Sequence, residues 1–213
     1  QVTFPAYSKL QDDILKLKEA YLKVLQVTAF LSFPIAGLIF VLARDFTRIF
    51  LGEKWMPMVP AIMVLVFAGL VRSIAATTGP IFQAVGKPKI ITKWQPVRLF
   101  VLVALIYPFT IQWGILGTSL SVFLSNLTSG IGFSVLVIRI TRCEIKNFTK
   151  RIIYPLISTL IMILFIFVLK NNVNMNESLE FFLFSGASIL VYLSVTYILD
   201  RQTLLSIKEI LPM

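Results

Sequence analysis

The chain has 213 residues, 57% of them hydrophobic and only 14% charged, with a mean hydropathy of +0.87, a balance that excludes an ordinary soluble domain and describes an integral membrane protein. Its net charge of +10 falls in short segments between apolar runs, the distribution that orients membrane helices, so it does not point to nucleic acid. A single cysteine, Cys143, permits no internal disulfide, and without histidine the usual zinc and imidazole-based catalytic constellations cannot be built, so neither enzymatic chemistry nor a metal or cofactor is expected.

Residues 1–23 open at Gln1 in a loop, with no signal-peptide pattern ahead of them, which reads as a fragment lacking an N-terminal part. Ser8 with Gln11 three residues on suggests a helix cap. Leu10, Ile14, Leu17, Tyr21 and Val24 recur at helical spacing, so 1–23 is expected to be an amphipathic elbow helix on the cytoplasmic surface.

The first span is expected at about 24–43, kinked by Pro34 with Gly37, since proline removes one backbone hydrogen bond and crowds the preceding turn. The second, about 59–81, is long enough to cross roughly 30 Å of hydrocarbon and carries one charge, Arg72. An arginine at that depth costs roughly 2.5 to 3.5 kcal/mol on insertion scales and tends to face a bundle interior or watery cavity. Ala68, Ala75, Ala76 and Gly79, one or two turns away, leave room around it, so Arg72 is a candidate cationic site for an anionic substrate; a structurally paired arginine is the alternative. Gly69, Ser73 and Thr77 repeat every four residues and suggest close approach to a partner helix.

The segment GKPKIITKWQP reads as a loop punctuated by Pro88 and Pro96, and the third span, about 97–110, is expected to end at Pro108. Lys87, Lys93 and Arg98 would stand at the cytoplasmic entrance. The fourth span, about 115–138, is the most polar, and Gly117, Ser121, Ser125 and Ser129 form an unbroken row of small residues that signals tight packing. Asn126 lies beside that row, as a weaker candidate substrate contact or as interhelical glue. The fifth and sixth spans, about 152–169 and 179–199, are nearly uniformly apolar and suited to lipid. The polar link between them contains Asn176-Glu177-Ser178, a formal glycosylation sequon.

With the N-terminal segment inside, fifteen of the twenty basic residues lie in inner segments, against Arg44, Arg48, Lys54 and Lys170 outside and Arg72 within a span. The positive-inside rule therefore puts both termini in the cytoplasm, and Trp55, Trp94 and Trp113 at span ends fit an aromatic belt. As the only thiol, Cys143 is expected on the cytoplasmic side, where a maleimide would report the orientation.

FPAYSKLQDD with LKEAY, Pro34 with Gly37, LGEKW, GLVRS, AVGKPK and WGILGTSLS together resemble the C-terminal half of an oligosaccharide flippase of the Wzx-like polysaccharide transporter family. That family belongs to the superfamily that also holds multidrug and toxin extrusion proteins and the lipid II flippase. The likeness covers about Phe4 to Arg139. It implies an all-α membrane protein with two lobes around a cavity that opens alternately to either side. Here six transmembrane helices would form most of the second lobe: 1–23 the elbow, 24–140 the lobe, and 141–213 a terminal pair with a short tail. The partners implied are a polyprenyl-diphosphate-linked glycan, the lipid bilayer and the absent N-terminal lobe, at the plasma membrane. The activity implied is carrying that glycan unit from the cytoplasmic to the outer leaflet. A multidrug or organic-cation antiporter of the same superfamily is disfavoured, because Asp45 and Asp200 lie only at helix ends and no carboxylate lies mid-membrane. A polyprenol-dependent glycosyltransferase would need larger loops with acidic residues than this chain has, and a non-transporting scaffold is a further reading.

Overall fold

The computed structural model describes residues 3–172 and 177–199, which are helical apart from short turns. The elements are α1 (Thr3–Lys9), α2 (Ile14–Phe46), a π-helical turn (Thr47–Leu51), a 3-10 turn (Glu53–Met58), α3 (Val59–Ala76), α4 (Gly79–Ala84), α5 (Lys89–Thr141), α6 (Ile145–Asn172) and α7 (Glu177–Leu199). Asn176 of the sequon, Asp200, and the basic residues Arg201 and Lys208 lie outside the described residues.

Five helical stretches are long and apolar enough to cross a membrane, and α5 accounts for two crossings. It leaves helical geometry at Gly114 (φ 56°, ψ −133°), a backbone that a side chain would strain. The Thr110 and Thr118 hydroxyls meet at 2.9 Å, whereas eight residues of straight helix would separate them by about 12 Å. At the far end Trp94 packs against Phe133, ring centroids 6.2 Å apart. α5 is therefore a helical hairpin with a first leg of 89–113 and a second of 115–141. The six expected spans are present.

Contacts fix the direction of each span. Phe40 of α2 meets Phe67 of α3, and Phe67 in turn meets Phe123 of the second leg, while Val71 abuts Gly130, so α3 and that leg run parallel. α2 and α6 are also parallel: Gln26 accepts a hydrogen bond from Arg151 near one end, and Asp45 pairs with Lys170 near the other. α7 returns antiparallel, with Tyr192 on Phe30 and Phe181 on Phe46. The start of α2 and the end of α7 thus share one side of the bundle.

Several boundaries differ from the sequence reading, each for a physical reason. The first span starts at Ile14 and not Val24, because the Asp13 carboxylate accepts the Lys16 amide at 3.1 Å and caps α2 there. Ser8 is no cap; it lies within α1 and donates to the Phe4 carbonyl. The second span breaks after Ala76. Pro80 has no N–H to offer the Ala76 carbonyl, and the Thr77 and Thr78 hydroxyls donate to the carbonyls of Ile74 and Ala75 at 2.7 Å each. The GKPKIITKWQP loop shrinks to residues 85–88, and the third span begins at Lys89 and runs through Pro96 and Pro108 to the Gly114 reversal.

Two packing expectations also change. The Gly69 row is no tight seam, since a Cβ on Gly69 would meet nothing within 4 Å. Gly37 serves close approach: a Cβ there would lie 2.5 Å from Thr159 Cγ2 and 2.9 Å from Met162 Cε on α6. Trp55 and Trp113 are about half exposed at one end of the bundle, whereas Trp94 is seated over Gly132, so only two of the three tryptophans suit an interfacial belt. The row Gly117, Ser121, Ser125 and Ser129 is buried as expected.

At the end of the bundle opposite Gly114, α1, the first turns of α2, α4, the end of α5 and the start of α6 share one core that includes Tyr7, Leu17, Tyr21, Phe82, Val137 and Phe148. Cys143 belongs to it and is 6% exposed. Burial pushes its thiol above the usual range. A maleimide probe of orientation at Cys143 is therefore a poor one.

These features give two expected outcomes for the purified complete protein. Gly37→Leu should destabilise it by about 1–3 kcal/mol through overpacking against α6, while Gly69→Ala should leave it unchanged or slightly more stable, both read as melting temperatures in detergent. Cys143 should react with maleimide at pH 7 much more slowly than a cysteine at the exposed position Lys146, and unfolding should erase the difference.

Candidate functional site

Arg72 sits on the last turn and a half of α3, just before the break at Thr77 and Thr78. That break and the residues at i+3, i+4 and i+7, Ala75, Ala76 and Gly79, leave a cavity of about 220 Å³ beside the guanidinium. Its other walls come from both legs of α5: Ile91, Gln95 and Arg98 from the first, and Asn126, Ser129 and Phe133 from the second. Each trio follows helical spacing, so each leg turns one stripe toward the cavity.

Of the residues singled out from sequence, Arg72, Asn126 and Arg98 come together in this one cavity. Arg98 lines it alongside Arg72 and does not stand apart from it. Lys87 lies in the turn after α4, where its amide donates to the Phe82 carbonyl, and Lys93 lies on the face of the first leg turned away from Ile91 and Gln95; neither lines the cavity. Gln95 was missed. Its sequence signal was available, since it precedes Arg98 by three residues and follows Ile91 by four on a segment read as loop.

The electrostatics are one-signed. Among the described residues, the acidic side chains with charged partners sit at helix ends: Asp13 with Lys16, Glu53 with Arg48, and Asp45 with Lys170. No carboxylate lines the cavity. Two guanidiniums, which donate and never accept, thus share it with two amides, Gln95 and Asn126, that do both. Asn126 is 7% exposed, and its main-chain carbonyl accepts from the Ser129 hydroxyl at 3.0 Å. The two lining hydroxyls, Thr78 and Ser129, donate to carbonyls of Ala75 and Asn126, so the charged and amide groups are the cavity's main polar chemistry. Such a set suits an anion with several oxygens, which guanidinium groups bind in pairs of parallel hydrogen bonds.

Larger cavities lie elsewhere. One of about 390 Å³ among Leu38, Leu42, Phe46, Ile62 and Phe181 is walled almost wholly by hydrocarbon, as is one of about 370 Å³ between Phe33, Val71, Leu127 and Phe148. Neither offers groups that would orient a polar ligand.

Residues 1–60 match the family described as polysaccharide biosynthesis protein. The chain is 29% identical over 170 residues to an uncharacterized membrane protein in the cps region of Klebsiella pneumoniae, covering 79% of this chain and 35% of that protein. It is 29% identical over 131 residues to the lipopolysaccharide biosynthesis protein WzxC of Escherichia coli K12, covering 62% of this chain and 27% of that one. With the teichuronic acid biosynthesis protein TuaB of Bacillus subtilis it shares 30% identity over 96 residues, which is 45% of this chain and 20% of TuaB. The chain thus spans about a third or less of the length of the curated relatives it matches. In fold it is similar to the lipid II flippase MurJ in its inward closed conformation, with a TM-score of 0.79 at 18% identity, covering 96% of this chain and 43% of that one. Sequence and fold agree with the resemblance read from the motifs: the chain is similar to a stretch of the Wzx-like polysaccharide transporters, and it is an all-α membrane protein with the fold seen in MurJ.

Proposed function

We propose that the chain is part of a transporter that flips a polyprenyl-diphosphate-linked oligosaccharide from the cytoplasmic to the outer leaflet for surface polysaccharide synthesis. The observation that carries this reading is the pairing of Arg72 with Arg98 in a polar cavity without a carboxylate. The lipid stays in the bilayer while the charged head group crosses, and the two guanidiniums hold its phosphate oxygens, with Gln95 and Asn126 for hydroxyls or further oxygens. A cationic drug would meet two like charges here, which weighs against the antiporter. The names of WzxC and TuaB place those relatives in the synthesis of surface polymers, and MurJ is named for flipping lipid II, which supports a transporter over an enzyme.

In this reading residues 24–140 are the second lobe, the absent lobe closes the cavity from the side of Arg72 and Arg98, and residues 141–213 add the terminal pair. Both ends face the cytoplasm of a plasma-membrane protein. Arg142, Lys146 and Lys150 lie at that inner end among the fifteen inner basic residues, in agreement with the positive-inside rule.

In the complete protein, Arg72→Ala and Arg98→Ala should each reduce transport by about 10- to 150-fold, the loss expected when a charged hydrogen-bonding partner worth about 1.5–3 kcal/mol is removed. Complete lipid-linked precursor should accumulate on the cytoplasmic face at unchanged protein abundance. Arg72→Lys should recover part of the rate, because charge returns without the bidentate fork. Transport that survives with only abundance reduced would make the arginines structural, and absence of precursor would point to a biosynthetic enzyme. For orientation, a cysteine at Lys146 in a Cys143→Ser background should resist an impermeant maleimide on intact cells and label after permeabilisation.

A further inference from the structure

α2 passes through Pro34, which has no N–H to give to the carbonyl of Phe30, one turn back. In hydrocarbon no water stands ready to replace that donor, so the protein has to supply one. It comes from another helix, 162 residues away in sequence: the Tyr192 hydroxyl of α7 donates to the Phe30 carbonyl at 2.8 Å. The same tyrosine packs its ring on the Phe30 ring, centroids 5.4 Å apart, and the two side chains are 2% and 8% exposed. Met162 and Ile166 of α6 and Phe184 of α7 complete the cluster.

We propose that Tyr192 is a latch through which α7 holds α2 at its proline. The phenol replaces the one amide that Pro34 removes, at the one place in α2 where the backbone is free to bend. α6 grips α2 on both sides of that place, through Arg151 on Gln26 and Lys170 on Asp45. α7 touches the weak point itself. A bend at Pro34 that swings the Phe30 carbonyl away must break the Tyr192 bond and release α7, and a docked α7 keeps α2 in the shape seen here. The coupling runs between two helices and does not depend on what the protein carries.

The pair of residues allows a test that separates the bond from ring packing. In the complete protein with Cys143→Ser, spin labels go on cysteines replacing Ile39 of α2 and Leu190 of α7, which are 44% and 68% exposed. The distance between labels should form one narrow population. Tyr192→Phe, which keeps the ring and removes the hydroxyl, should add a second, longer distance in at least about a tenth of the molecules. Pro34→Ala restores the amide, so in that background Tyr192→Phe should leave the single narrow population intact. An unchanged distance in Tyr192→Phe, or an equal second population with and without Pro34, would overturn the latch. Should Tyr192→Phe reduce the amount of protein in the membrane too far for spectroscopy, Pro34→Ala must restore it, and failure to do so would overturn the proposal equally.

Discussion

A membrane interior offers no water to a backbone N–H or C=O, and the form of this bundle follows from that constraint. Three interruptions of the helices are accompanied by side-chain hydroxyls turned onto the chain or onto one another. Where Pro80 removes an amide after α3, Thr77 and Thr78 turn their hydroxyls back onto Ile74 and Ala75. Where α5 reverses at Gly114, Thr110 and Thr118 bond across the turn. Where Pro34 orphans the Phe30 carbonyl, the donor is Tyr192. An unsatisfied buried carbonyl costs about 1–3 kcal/mol, comparable to burying a whole aliphatic side chain, so these hydroxyls are as much a part of the core as its leucines.

The same constraint separates two kinds of charge. Asp45 with Lys170, Arg48 with Glu53 and Asp13 with Lys16 stand at helix ends, where water or a partner neutralises them. Arg72, near the break after α3, and Arg98 share a cavity that no carboxylate lines. Arg72 is exposed and Arg98 half-buried on the cavity's walls, where both guanidiniums keep their donors turned to a space without a carboxylate. The paired ends have their acceptors supplied by the protein itself, whereas this cavity has donors without a protein carboxylate to take them.

How much of this the sequence disclosed divides along the range of the interactions. Span number, the anomaly of Arg72 and the buried row from Gly117 to Ser129 rest on composition and helical spacing, which are local and therefore legible. Helix ends were less so: Ser8 reads as a cap by its spacing to Gln11, yet it is Asp13 that accepts the Lys16 amide and starts α2. The segment from Lys89 to Gln95 carries charges and sits between two prolines, so it reads as loop, yet Pro88 stands at the N-cap of α5, Pro96 lies inside the helix, and Trp94 packs on Gly132. Gln95 was lost with that misreading. Gly37 and Gly69 look alike in a sequence, and only the position of α6 tells which one is filled by a neighbour. The burial of Cys143 likewise depends on α1 and α4 folding over it.

The cavity has one firm wall and one slender one. Arg72 and Asn126 stand on α3 and the second leg of α5, which are pressed together so closely that a Cβ on Gly130 would lie 2.7 Å from Val71. The second leg's serines bond within their own helix and leave its surface smooth enough for that approach. Gln95 and Arg98 stand on the first leg, of which no residue is buried. That leg is fastened to its partner at its ends, by Thr110 on Thr118 at the turn and by Trp94 on Gly132 and Phe133 at the other. Gln95 and Arg98 follow Trp94 by one and four residues, within about one helical turn of that second fastening. The spacing of the two guanidiniums is therefore set largely by how the indole sits over Gly132, where the absence of a side chain is what lets the ring lie down: a Cβ there would fall 2.3 Å from it. A glycine far from either charge in sequence thus helps set how the two charges face the cavity they share.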